Sequence, residues 1–289
     1  MRVLFLFLGQ GCVGCFLLLY LMPRQAGANF FSMMAGKILA PVIALNLYIG
    51  WAARSEFVGA SPVLLNAEML LLALFFICLL VYALGVHVDK PLLSVPSLLV
   101  GTLAGVAHIV VTTLVQAQLA GSGDLLSLPI LMSRFLNGMA GGLLLGAATV
   151  GMILGHWYLV APGLPMEPLR RANQFLLWLV LVNGLVTALS VAVASGTGRS
   201  IGTALRVGDQ DYSLFIWARV LMGLVGTFVA WAITWFIVRE ATRFERTGRL
   251  DRKGHSVQGA TGFLYVAMLT VLVGELCRCV LTTSTSGPF

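Results

Sequence analysis

Charge is what this sequence has least of: Asp, Glu, Lys and Arg together make up 10% of 289 residues, against roughly 25% in an ordinary soluble domain. That scarcity excludes a large water-facing surface. The chain also lacks a Walker-type phosphate loop, a G-x-S-x-G turn and an H-E-x-x-H helix, and with them the sequence machinery for nucleotide hydrolysis, acyl transfer or zinc-dependent hydrolysis. Cysteine is sparse too. Cys12 and Cys15 make a C-x-x-C inside an apolar run, with no second pair and no following His, so zinc and c-type haem attachment are not indicated. Both read as small core residues. The 18 Lys+Arg outnumber 11 Asp+Glu, but the excess is scattered over short connections, and no nucleic-acid partner is indicated.

What the chain does have is apolar length, with 59% hydrophobic residues. Runs near 3–22, 30–53, 63–86, 95–119, 130–160, 172–195, 213–238 and 258–283 each approach the 20 or so residues that a bilayer core of about 30 Å demands. Backbone polar groups in lipid must be paired within their own segment, so the runs are helices. The expectation is an all-α polytopic transmembrane bundle of about eight helices, a single integral membrane domain over 1–289 with no sizeable soluble domain. The first run has one Arg and no clear small-x-small cleavage site, and is read as a spanning helix rather than a signal peptide.

Basic residues set the orientation. Connections after the first, third, fifth and seventh runs hold Arg24, Lys90, Arg170, Arg171, Arg243, Arg246, Arg249, Arg252 and Lys253, whereas the other side has Arg2, Arg54, Arg199 and Arg206. By the positive-inside rule both termini lie on the non-cytoplasmic side of a cell (inner) membrane. The segment "RFERTGRLDRKGH" dominates the bias. It reads as a topology determinant or as a docking surface for acidic lipid or a cytoplasmic partner. The fifth run spaces Gly138, Gly142 and Gly146 four apart, then Gly151 and Gly155. Such small-xxx-small steps allow close backbone approach, which places this helix centrally.

Charges inside the runs need partners, because an ionised side chain at the bilayer centre costs on the order of 2.5–3.5 kcal/mol on insertion scales. Counted from the proposed outer ends, Glu68 lies about six residues in, Arg134 about four to six, Arg219 about seven, and Glu275 and Arg278 about five to nine, at roughly 1.5 Å per residue. All five fall in one layer of the outer half. Arg134, Arg219 and Glu68 are the expected partners of Glu275 and Arg278, and Asn137 and Gln116 could add hydrogen bonds. The layer is either a structural network that fixes helix register or a site for a polar head group such as a quinone carbonyl. A proton path in which Glu68 or Glu275 changes protonation is a further form of the functional reading. On the inner side Lys37, His87 and His156 form a second polar group. Paired histidines can clamp a b-type haem, but near the interface they serve equally as hydrogen-bonding groups. His108, in mid-run at another depth, reads as a hydrogen-bonded core histidine, and no metal site is indicated.

About eight helices, little chain outside them and a last helix reading "GELCRC", an E-x-x-R, resemble the quinone-interacting membrane anchor subunits of bacterial polysulfide and dimethyl sulfoxide reductases. The resemblance implies a subunit without haem that exchanges electrons and protons with menaquinone or ubiquinone for a peripheral partner. It carries over Glu275 and Arg278 as candidate neighbours of a quinone site. The expectation is thus a membrane subunit of a respiratory or electron-transfer complex rather than an autonomous enzyme, with the lipid bilayer and further protein subunits as partners. A secondary transporter or channel and a b-type haem cytochrome are the alternatives.

Overall fold

The computed structural model describes residues 1–57, 59–119, 128–161, 163–196, 206–207 and 210–285. Among them, eight helices are long and apolar enough to cross a membrane: α1 (Arg2–Leu21), α2 (Ala28–Ala52), α3 (Pro62–His87), α4 (Pro91–Leu119), α5 (Leu128–Val160), α6 (Glu167–Ser195), α7 (Ser213–Arg246) and α8 (Asp251–Ser284). The fold is an all-α, multi-pass membrane bundle, and one short hairpin is its only strand pair among the described residues. Two-residue strands β1 (Arg206–Val207) and β2 (Gln210–Asp211) pair antiparallel between α6 and α7.

Local chemistry explains the tight connections. After α3, Asp89 takes a left-handed conformation (φ 52°), and the Lys90 N–H donates back to the Gly85 carbonyl at 2.8 Å. That is a Schellman closure, after which Pro91 begins α4, its missing N–H harmless in a first turn. The α7–α8 turn repeats the device with Gly248 (φ 72°), where Arg249 N–H reaches the Phe244 carbonyl at 3.0 Å. Eight crossings place these turns at one end of the bundle, the turn end. Met1 and the last turn of α8 mark the other, the terminal end.

Helices α1 and α5 are the two most buried spans, 72% and 56% against 22% for α7, and α5 packs against α1, α4, α6 and α8. Their shared interface is close: a Cβ on Gly14 of α1 would come within 1.8 Å of the Gly142 carbonyl oxygen, and one on Gly146 within 2.4 Å of the Gly14 carbonyl carbon. The two backbones touch, and Gly151 and Gly155 extend the glycine stripe of α5 to Leu264 and Thr261 of α8. Helices α7 and α8 meet in the same way at Gly223 and Gly274. Two π-helical stretches interrupt the ladders, Met33–Leu39 within α2 and Arg219–Gly226 within α7. At the turn end, Lys253 donates 2.8 Å bonds to the Leu164 carbonyl and to Glu245 Oε1, tying the α5–α6 connection to α7 and α8.

Candidate functional site

Two polar clusters lie toward the terminal end. The first surrounds Glu68, about two turns into α3 and only 2% exposed. Residues one turn apart on a helix share a face, so α4 presents both His108 and Thr112 to this carboxyl. Thr112 Oγ1 donates to Glu68 Oε1 at 2.6 Å, and His108 Nδ1 lies 3.4 Å from the Glu68 carbonyl oxygen. Beside Glu68 opens a cavity of about 200 Å³, walled by apolar side chains including Phe5, Trp51, Phe57 and Met69, with Arg54 also on its lining. Arg54 is held by a hydrogen bond to Asn66 Oδ1. The exposed rings of Tyr48 and Trp51 lie 6.3 Å apart on the same stretch of α2, as is usual at a membrane interface.

Behind Glu68 the polar character continues. Asn46 of α2 is fully buried, and neither its amide nitrogen nor its oxygen has a partner among the described residues. It shares a slot with His108 that exists because residue 9 is glycine. A Cβ there would lie 2.9 Å from His108 Nε2 and 3.1 Å from Asn46 Nδ2. Unpaired buried amides are costly, about 1–3 kcal/mol, so this slot has unused hydrogen-bonding capacity.

The second cluster joins five helices. On α8, Arg278 Nε and Glu275 Oε2 form a 2.6 Å ion pair buried on all sides. Asn183 of α6 donates to the other carboxylate oxygen at 2.8 Å, and Arg278 also donates to the Gln10 side chain of α1. Arg219, from the π stretch of α7, reaches Asn137 Oδ1 of α5 at 2.7 Å and Asn183 Oδ1 at 3.2 Å. Its Nε and Nη1 have no acceptor among the described residues, although the side chain is 1% exposed. The carboxylate fits because residue 141 is glycine: a Cβ would sit 2.0 Å from Glu275 Oε2.

Of the residues singled out by depth, the structure thus brings together Asn137, Arg219, Glu275 and Arg278. Arg134 lies one turn away on α5, buried, with Nη2 3.5 Å from the Thr285 carbonyl. Glu68 stands apart, at the same depth but turned toward α4 and the cavity. Gln116, buried one turn beyond Thr112, has an unpartnered Nε2 and does not join the charged cluster. Gln10 and Asn183, which complete that cluster, were missed; each is a lone amide in an apolar run, a signal as informative as a charge. Lys37, His87 and His156 are exposed on their helices, so none of the three points into an enclosed site. Among the described residues no group of three or more His, Cys, Asp or Glu could hold a metal ion.

The two clusters have different capacities. The Glu275–Arg278 cluster has its charges and amides bonded to one another, apart from the two free donors of Arg219. The Glu68 cluster combines a titratable carboxyl, an apolar chamber and a polar slot. Comparison of the chain with protein-family profiles, with curated proteins and with solved structures gives no match in any of the three.

Proposed function

We propose that the chain is the membrane subunit of a respiratory electron-transfer complex, anchoring a peripheral redox partner and admitting a quinone ring to the Glu68 cavity. The observation that carries this reading is the chamber itself. Apolar cavities of about 150 Å³ already take up benzene, and ligand sites pair mostly apolar walls with a few placed polar groups. A space of about 200 Å³ flanked by Phe5, Trp51 and Met69 and ending on Glu68 suits one ring, with its tail left among lipid chains beside Tyr48 and Trp51.

Oxidation of a quinol releases two protons and two electrons. Glu68, steadied by Thr112, accepts one ring-hydroxyl proton as a general base, and the other passes to water at the cavity mouth. Both electrons leave for a redox centre of the partner subunit. The Glu275–Arg278 cluster then acts as the register network that holds α1, α5, α6, α7 and α8 in place. Lysine and arginine bias puts the turn end in the cytoplasm of an inner-membrane protein, so the cavity and both termini face the other side.

Mild-detergent purification with quinol-turnover assays tests this. Metalloprotein subunits should accompany the chain. Glu68→Gln should accumulate and assemble like the parent while quinol turnover falls by about 10²-fold or more, the range of a lost general base. A solitary monodisperse protein, a Soret band, or full turnover in Glu68→Gln would overturn the assignment.

A further inference from the structure

The least covered helix carries an unexplained run of charge. Helix α7 turns Leu221, Val225, Phe228 and Phe236 outward as exposed apolar side chains, the surface that faces acyl chains in a bilayer. At steps of three to four residues one helical face continues along its length, and here that face passes directly into Arg239, Arg243 and Arg246, all exposed. The acyl-facing stripe therefore ends in guanidinium groups at the depth of lipid head groups. Arg239 lies 5.4 Å above the ring of Trp235 one turn nearer the bilayer, and Arg252 of α8 lies 5.9 Å over Phe244. Cation–π contact holds such groups in place, and Trp favours the interface. None of these four arginines makes a salt bridge among the described residues, whereas the neighbouring Glu245 is committed to Lys253 at 2.8 Å.

We propose that this corner of α7 and α8 binds the phosphate of an anionic phospholipid, with Arg239 and Arg243 as its principal donors and an acyl chain along Phe236 and Phe228. Continuity with the lipid-facing stripe favours a lipid over a docked protein, whose contact would lie on the water-facing side of the turn. Guanidinium supplies the planar pair of donors that phosphate oxygens accept. The inference stands independently of the quinone reading.

The test is native mass spectrometry of the detergent-purified protein after delipidation and titration with phosphatidylglycerol or, separately, phosphatidylcholine. The parent should retain phosphatidylglycerol preferentially, and R239Q/R243Q should lower that retention at least fivefold. The control is R170Q/R171Q, which removes the same charge at the same end from residues already paired with Glu167 at 2.6 and 2.8 Å, and it should retain the lipid. Equal loss in both double variants would reduce the effect to diffuse attraction. Equal retention in all three proteins, or displacement by inorganic phosphate alone, would overturn the site. Loss of a co-purifying subunit from R239Q/R243Q with lipid retention intact would assign the arginines to a protein contact instead.

Discussion

Removing the charge of Glu275 while keeping its shape isolates what the buried ion pair contributes. In Glu275→Gln the oxygen that accepts from Asn183 at 2.8 Å can persist, but the atom facing Arg278 Nε across 2.6 Å becomes an amide nitrogen. A donor then meets a donor. The side chain cannot withdraw, because the α5 backbone at Gly141 packs so closely that even a methyl group there would lie 2.0 Å from Oε2. Arg219 and Arg278 are also left without the one carboxylate of their cluster. Breaking a buried pair costs about 3–5 kcal/mol, and at about 1.4 kcal/mol per decade that is roughly two to three and a half decades in the folding equilibrium. Denaturant titration in mild detergent of Glu275→Gln, Arg278→Gln and the double variant measures it. The double variant removes both charges of the pair and leaves only Arg219 without the carboxylate, so it should be clearly more stable than the two single losses predict, with a coupling of about 0.5–3 kcal/mol. Strict additivity, or a single variant as stable as the parent, would refute the reasoning.

Gly142→Leu should block the α1–α5 contact, because even a Cβ at that position would lie 2.6 Å from the Gln10 carbonyl oxygen. Overpacking of this kind costs about 1–3 kcal/mol, visible as a lower thermal midpoint and yield, and an unchanged midpoint would contradict the backbone contact. A reporter fused after Phe289 should lie on the non-cytoplasmic side of the membrane and one inserted within residues 245–253 should be cytoplasmic, as the bias of the basic connections predicts. The reverse at both places would invert the orientation, and both reporters on one side would mean that α8 does not cross and that the helix count is wrong.

Helix existence and depth were legible in the sequence because lipid imposes both. The apolar runs locate all eight spans, but hydropathy reports bilayer thickness and not helix length. The seventh run stops at 238 whereas α7 continues to Arg246, and the sixth begins at 172 whereas α6 starts at Glu167. Outside the apolar zone the backbone ladder continues on local ion pairs such as Glu167 with Arg170 and Arg171. Azimuth was the part that depth could not supply. Glu68 lies at the level of Glu275, yet its side chain faces Thr112 rather than any arginine of the charged cluster. Starting from the charges and adding only Asn137 and Gln116 among the amides hid Gln10 and Asn183, although every amide buried in lipid needs a partner as a charge does. The slot at Gly9, where α1 makes room for Asn46 and His108, is a relation between three helices that no single segment displays.

The π stretch Arg219–Gly226 of α7 has a consequence for how this chain can change over evolutionary time. A π turn is the footprint of one surplus residue in an otherwise α-helical run, and such turns concentrate at functional positions. Because the wider turn takes up that residue, the α-helical halves on either side keep nearly the directions they would have without it, whereas an extra residue not taken up in this way would rotate one half by about 100°, the angle per residue at 3.6 residues per turn. Arg219 can therefore face Asn137 and Asn183 while Trp235 and the arginines beyond it stay on the lipid-facing side. Loss of one residue inside the π stretch would restore an ordinary α-helix and leave both faces about where they are. The same loss elsewhere in α7 would turn one face away, so changes of length in this helix are tolerated at the π stretch and selected against outside it.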